Sequence, residues 1–175
     1  MHRQPGGTDD LVTARLVLHS LSAAEAEHVR DGGQGGDVRW ADGYPMEGDV
    51  SAMTRFLATC ASSGHPRPFG TYEIRLRADG LAIGGVGFHG PPDEDGGVTI
   101  GYGLVPSARG KGYASEALRA LLAFARDQGV SSVAGDADIG NTASQRVMAA
   151  AGMRRIAATA QLAFYRVSWD GAAGG

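Results

Sequence analysis

The stretch VPSARGKGYASEAL, Val105 to Leu118, sets Arg109-Gly110-Lys111-Gly112 at the threshold of an apolar helix. Glycine costs a helix about 1 kcal/mol relative to alanine, so its place here calls for a reason other than helix stability. From Ala114 onward, Ala117, Leu118, Leu121, Leu122 and Ala125 recur at helical spacing and form one stripe. Gly129 then supplies a left-handed stop. A helix N-terminus leaves backbone N–H groups without partners, equivalent to about half a positive charge, and anions settle there. Glycine at 110 and 112 removes side chains that would hold an anion away, and Arg109 and Lys111 add positive charge. The residues read as a pyrophosphate cradle at a strand-to-helix turn. A tight turn carrying ordinary surface basic residues is the other reading they allow.

Upstream of this stretch, FGTYEIRLR, LAIGGVGFH and GVTIGYGLV read as three consecutive strands. ADG marks a tight hairpin between the first pair, and GPPDEDG joins the second. Before them, TARLVLHSL reads as a strand, Ser22 caps AAEAEHVR as a short helix, and a glycine-rich loop over 31–49 carries Trp40 and Tyr44. Asp49 or Ser51 is the expected cap of a helix bearing Met53, Phe56, Leu57 and Cys60. Downstream, VSSVAGD reads as a strand, Asn141 to Ala151 as a helix stopped at Gly152, and MRRIAAT and LAFYRVSW as closing strands. Antiparallel strands running into a strand-helix-strand crossover predict an α/β fold with a mixed sheet. The chain reads as a single domain over 11–170, with a disordered N-terminus over 1–10 and a flexible tail over 171–175.

The 175 residues carry a formal charge of -3, which argues against a nucleic-acid or anionic-membrane partner. No apolar run approaches membrane-spanning length, and the first residues, MHRQPGGTDD, lack the apolar core of a signal peptide. With Cys60 as the single cysteine no internal disulfide is expected, and a cytoplasmic enzyme or binding protein is the default reading. A Walker A loop fails twice: Val105 occupies its first glycine position, and Gly112 follows the lysine. Gly85-Val86-Gly87-Phe88-His89-Gly90 matches G-x-G-x-x-G, but Pro91-Pro92-Asp93 follows where a Rossmann site needs a helix.

The pattern that does fit is Arg-x-x-Gly-x-Gly/Ala, met by Arg109, Gly112 and Ala114. Here the sequence resembles the GNAT superfamily of acyl-CoA-dependent N-acetyltransferases. The wider stretches IGYGLVPSARGKGYASEALRALLAFA and NTASQRVMAAAGM are similar to its ribosomal-protein N-terminal (alanine) acetyltransferase-like branch. The resemblance implies a GNAT fold: a central, mostly antiparallel twisted sheet of about seven strands, flanked by about four helices, with strands four and five splayed. It implies acetyl-CoA as cosubstrate and no metal.

The resemblance also assigns roles. Leu104 and Val105 match the point where the strands part for the pantetheine arm, and Pro106 suits the end of a ladder. The N–H groups from Gly110 through Lys111, Gly112 and Tyr113 to Ala114 would hold the pyrophosphate beside Arg109. Asn141 matches the pantetheine-binding asparagine, and it is equally placed to cap its helix. Met148 stands where many relatives carry a tyrosine acid; Ser144 matches the serine of the other branch and is the candidate acid. Relatives commonly read Glu-Ile-Gly-Tyr where this chain has Thr99-Ile100-Gly101-Tyr102, so the base is missing from its usual strand. Deprotonating a lysine side chain at pH 7 costs roughly 4.6 kcal/mol, an α-amine about 1–1.4, so Thr99 tilts the reading toward low-pKa acceptors.

His89 is a candidate proton relay, with a loop-edge histidine as the plainer reading. Glu73 and Asp93-Glu94-Asp95 are further acidic candidates, the latter more simply a solvated turn. Trp40, Tyr44, Thr99 and Tyr102 are the expected acceptor-binding residues, although lid packing would equally account for Trp40 and Tyr44. The function expected is direct acetyl transfer in a ternary complex to a protein N-terminal or small-molecule amine. An inactive CoA-binding sensor of the same fold is the alternative, and monomer and homodimer both stay open.

Overall fold

A computed structural model describes residues 9–33 and 38–169. The expected tail over 171–175 and the first eight of the ten N-terminal residues expected to be disordered lie outside that range, as do 34–37 of the glycine-rich loop. The elements run β1 (Leu11–Val12), β2 (Leu16–Ser20), α1 (Ala23–Arg30), α2 (Glu47–Ser63), β3 (Thr71–Leu76), β4 (Ala82–Phe88) and β5 (Gly97–Leu104). A single 3-10 turn, Pro106–Ala108, leads to α3 (Tyr113–Asp127), β6 (Ser132–Asp138), α4 (Thr142–Ala150), β7 (Arg154–Ala158) and β8 (Leu162–Ser168). The strands form one eight-stranded sheet in the order β1-β2-β3-β4-β5-β6-β8-β7. The expected first strand begins at Thr13, but β2 starts only at Leu16, after a turn in which Thr13 N–H bonds Leu16 O at 2.9 Å; Leu11–Val12, ahead of the expected strand, adds β1, and eight strands replace seven.

Local chemistry sets the boundaries. Ser22 accepts from Glu25 N–H while the Glu25 carboxylate accepts from Ser22 N–H, a reciprocal cap that opens α1. α2 starts earlier than the expected cap at Asp49 or Ser51. Asp49 lies in its first turn and reaches back to Met46 N–H at 2.9 Å, so it closes the end from inside the helix. α3 buries Leu118 and Leu121 completely, each contributing about 1.5–3 kcal/mol, and ends before Gly129 at φ +85°.

Every neighbouring pair but one is antiparallel. β5 and β6 run parallel through only three pairs, Gly97↔Ser132, Val98↔Val133 and Thr99↔Ala134. Beyond Thr99 each strand follows its other neighbour: β5 stays with β4 to Leu104, and β6 stays with β8 to Asp138. The sheet therefore opens at this seam, the splay expected between strands four and five. It opens upstream of Leu104 and Val105, both of which are buried, and Val105 N–H remains bonded to Ile83 O at 2.9 Å.

Candidate functional site

Two features follow β5 past its last pair with β6: a pocket floored by glycine and, after the next turn, a bare helix end. Gly110 and Gly112 have φ of +78° and +83°, in the left-handed region that an L side chain rarely enters. Gly112 is the N-cap of α3, and among the described residues no side chain caps that end. Gly110, Lys111 and Gly112 are exposed, and Tyr113 and Ala114 half-buried. The end is braced from behind instead. Arg15 donates through Nη1 to Lys111 O at 2.9 Å and through Nε to Glu116 Oε1 at 2.7 Å, with its guanidinium 4.4 Å above the Tyr113 ring. Glu116 also accepts from Arg15 N–H at 2.9 Å and from the Thr13 hydroxyl at 2.5 Å. Burial works against the Glu116 charge, but these bonds prevail and hold its pKa below the ordinary value. Arg109 turns away from the helix end, donating from Nε to Leu104 O at 3.0 Å.

On β5 the ladder alternates. His89 N–H bonds Thr99 O and Val105 N–H bonds Ile83 O, so the main-chain groups of Tyr102 face away from β4 and into the seam. The Tyr102 side chain bridges the seam to α4. Its hydroxyl donates to Ser144 O at 2.9 Å and lies 2.7 Å from Ser144 Oγ. A phenol has one proton, so with that proton on the carbonyl the Ser144 hydroxyl is the donor within the pair. Burial pushes the Tyr102 pKa up, partly offset by Ser144. Asn141 caps α4, its Oδ1 accepting from Ser144 N–H at 3.0 Å, and so aligns the turn that carries Ser144. Met148 is fully buried in the core.

Between α2 and the sheet lies a pocket of about 220 Å³. Its floor exists because β4 and β5 pair glycine against glycine, Gly85↔Gly103 and Gly87↔Gly101. A Cβ on Gly85 would lie 2.9 Å from Asp49 Oδ1, and one on Gly101 2.8 Å from His89 Nε2. Asp49, Arg55, His89 and Tyr102 contribute polar groups to the lining. Next to Gly85 in register stands Glu73, 2% exposed, whose oxygens accept from Tyr44 Oη at 2.7 Å and Arg75 Nε at 2.8 Å. Burial raises the Asp49 carboxyl, Met46 N–H lowers it and the Glu73 charge raises it again, to about 6. Burial and the nearby Arg55 push the His89 pKa down.

The seam thus brings Tyr102 and Ser144 together, β5 runs on through Leu104 toward the 110–114 turn, and His89 lies in the pocket at the end of β4. Thr99 is exposed at the last parallel pair. Trp40 lies elsewhere: it makes a parallel bridge with Ala82 and packs edge-on against Tyr44 with centroids 5.5 Å apart. Tyr44 is buried beneath the pocket as the partner of Glu73, and burial and that charge hold its hydroxyl protonated. Asp93 closes its own turn by accepting from Asp95 and Gly97 N–H at 2.9 and 3.0 Å. The residue that sequence reasoning passed over is Asp49, read there as a helix cap. The available signal was an acidic residue one turn into a helix, in a chain whose two central strands carry Gly85, Gly87, Gly101 and Gly103. Among the described residues no group of three or more His, Cys, Asp and Glu side chains could hold a metal ion.

Residues 15–154 match the family described as Acetyltransferase (GNAT) domain. The chain is 26% identical over 133 residues to the uncharacterized N-acetyltransferase YjdG of Bacillus subtilis (strain 168), covering 75% of this chain and 77% of that protein. An acetyltransferase structure from Agrobacterium tumefaciens str. C58 superposes with a TM-score of 0.64 at 23% identity, covering 97% of this chain and 99% of the other. A ribosomal L7/L12 α-N-protein acetyltransferase, RimL, in complex with coenzyme A, superposes with a TM-score of 0.67 at 16% identity, covering 93% and 99%. At these identities the structures establish the shared fold.

Proposed function

Since the chain belongs to the GNAT acetyltransferase family, we propose that it moves an acetyl group from acetyl-CoA to a primary amine by direct attack in a ternary complex. The observation that carries this reading is the uncapped, glycine-flanked start of α3, reached from the stretch of β5 that has left β6. Its N–H groups from Gly110 to Ala114 suit a diphosphate. The seam-facing main chain of Tyr102 suits an amide-bearing pantetheine arm, as does the side-chain NH2 that Asn141 has left after capping α4. Acetyl-CoA supplies the activated acyl group. The chain's own work is to hold it, to orient the amine, and to deliver a proton to the departing sulfur through the Ser144 and Tyr102 hydroxyls.

An α-amine is the favoured acceptor. Its deprotonation at pH 7 costs about 1–1.4 kcal/mol against roughly 4.6 for a lysine side chain, and β5 carries Thr99 where a carboxylate would serve the harder case. The amine of a protein N-terminus and that of a small molecule both meet this description, and the likeness to RimL favours the former. The second reading is a CoA-binding sensor without turnover, favoured by Met148, buried where many relatives carry a tyrosine, and by Thr99. Acetyl-CoA at 100 times its dissociation constant should stabilise the fold by about 2.7 kcal/mol, with ATP and NAD without effect. Absence of an acetyl-CoA shift overturns both readings. Thiol release across a panel of peptides and small amines then separates enzyme from sensor.

A further inference from the structure

The acetyl-transfer reading lacks a proton acceptor on β5, and the glycine-floored pocket contains one. Asp49 is 6% exposed, and its two oxygens have different surroundings. Oδ2 accepts from Met46 N–H at 2.9 Å, whereas Oδ1 has no hydrogen-bond or ion-pair partner among the described residues. Oδ1 sits against the bare main chain of Gly85, where a Cβ would come within 2.9 Å of it. An ionised carboxylate oxygen in such a place needs a cationic donor. Among the described residues the cations near the pocket are engaged or apart: Arg75 bonds Glu73 at 2.8 Å, and neither Arg55 nor His89 forms an ion pair with Asp49.

We propose that the Asp49 carboxylate receives the ammonium group of the acceptor and takes its proton, so that Asp49 is the general base. This rests on the acetyl-transfer reading above. The ammonium passes one proton to Oδ1, and the freed lone pair attacks the thioester carbonyl carbon. The C–N bond forms and the C–S bond breaks, its electron pair leaving on sulfur. The second proton of the nitrogen, released as the amide forms, reaches sulfur by way of the Tyr102 and Ser144 hydroxyls. The proton on Asp49 goes to solvent past His89. The fitting acceptor is a narrow primary amine, because the room was made by deleting four side chains, at Gly85, Gly87, Gly101 and Gly103, not by widening the sheet.

Several charged and titratable groups surround Asp49. They are Glu73 and Arg75 on β3, Tyr44 before α2, Arg55 on α2, His89 at the end of β4 and Tyr102 on β5. Burial and Glu73 lift its carboxyl to about 6, so it is ionised at neutral pH and still basic enough to hold a proton in passing.

The test is Asp49→Asn, assayed with acetyl-CoA and whichever panel amine the wild type turns over fastest. The expected result is a fall in kcat/KM of at least about 100-fold, with the acetyl-CoA Kd within twofold, and loss of the break near pH 6 in the pH profile. The melting temperature at pH 8 should equal or exceed that of the wild type. A carboxyl whose folded pKa lies above its ordinary 3.8 weakens the fold as it ionises, and asparagine removes that charge. Gly85→Ala places a methyl against Oδ1 without altering the carboxylate; it should lower kcat/KM tenfold or more, and it decides the matter if the asparagine variant fails to fold. Both variants within threefold of wild type, with the break intact, would overturn Asp49 alone. A wild type that binds acetyl-CoA yet turns over no amine would overturn Asp49 and the catalytic reading together.

Discussion

Gly112 and Ser144 were both legible as single residues, but for different reasons. Gly112 announces itself because L side chains rarely adopt φ +83°, and a Cβ there would also come within 3.2 Å of Arg15 Nη2. Gly112→Val should abolish the acetyl-CoA thermal shift while the protein keeps its far-ultraviolet circular dichroism; a retained shift would mean that the turn does not hold the diphosphate. Ser144 is silent without the family pattern, since a helical serine is ordinarily a surface residue. Its 2.7 Å contact with the Tyr102 hydroxyl gives it a chemical setting. Ser144→Ala should reduce kcat by about 10²-fold and leave the acetyl-CoA Kd within twofold, and unchanged turnover would remove it from proton delivery. Asp49 shows where single residues stop being informative. Its role as a first-turn acid of α2 is local and readable, whereas its free Oδ1 depends on a glycine in a strand met 36 positions later in the chain.

At the scale of elements, alternation and helical spacing identified the three central strands, both crossover elements and all four helices. Boundaries are less legible, the start of α2 above all: Met46 has no capping oxygen, and the closing bond comes from Asp49 inside the helix. β1 lies ahead of the expected first strand and gives no signal in the sequence, because a strand of two residues carries no period. What fastens β1 to β2 and α1 is a charge cluster that no pattern announces. His19 on β2 bonds Asp10 at 3.0 Å through Nδ1 and Glu25 of α1 at 2.8 Å through Nε2. Burial opposes the His19 charge, yet its bond to Asp10, reinforced by Glu25, lifts the pKa above 6.5. Burial likewise opposes the charges of Asp10 and Glu25, but His19 and the Ser20 and Ser22 N–H groups bring them below 3.8 and 4.5. The histidine's contribution is complete below 6.5 and fades as pH rises through its higher folded value. The carboxylates contribute above their ordinary values, and lose this as pH falls through their lower folded ones. The cluster is therefore strongest between about pH 4.5 and 6.5. His19→Gln should cost most stability in urea titrations near pH 5.5 and less at pH 8.5; an equal loss at both would show that His19 acts by shape alone.

The whole molecule is two half-sheets joined by three parallel residue pairs, and its candidate site exists only through that arrangement. The mixed sheet was legible from element order, because a strand-helix-strand crossover after an antiparallel run leaves little choice. The glycine-floored pocket was not, since it needs the registers β3–β4 and β4–β5 together to set Glu73, Gly85 and Gly103 in one row. The seam makes a prediction that neither half makes alone. On β5, Gly101 and Gly103 are paired toward β4, while the Tyr102 amide faces the seam past the last bond to β6. Residue-resolved hydrogen exchange should therefore find Tyr102 faster than both neighbours in the free protein. If the pantetheine arm lies along this edge, acetyl-CoA should slow Tyr102 and leave Gly101 and Gly103 nearly unchanged. Uniform protection from Ile100 to Leu104 in the free protein would mean that the halves stay zipped in solution. Uniform slowing on binding would mean that the ligand tightens the sheet from elsewhere, and the seam would lose its claim to the pantetheine.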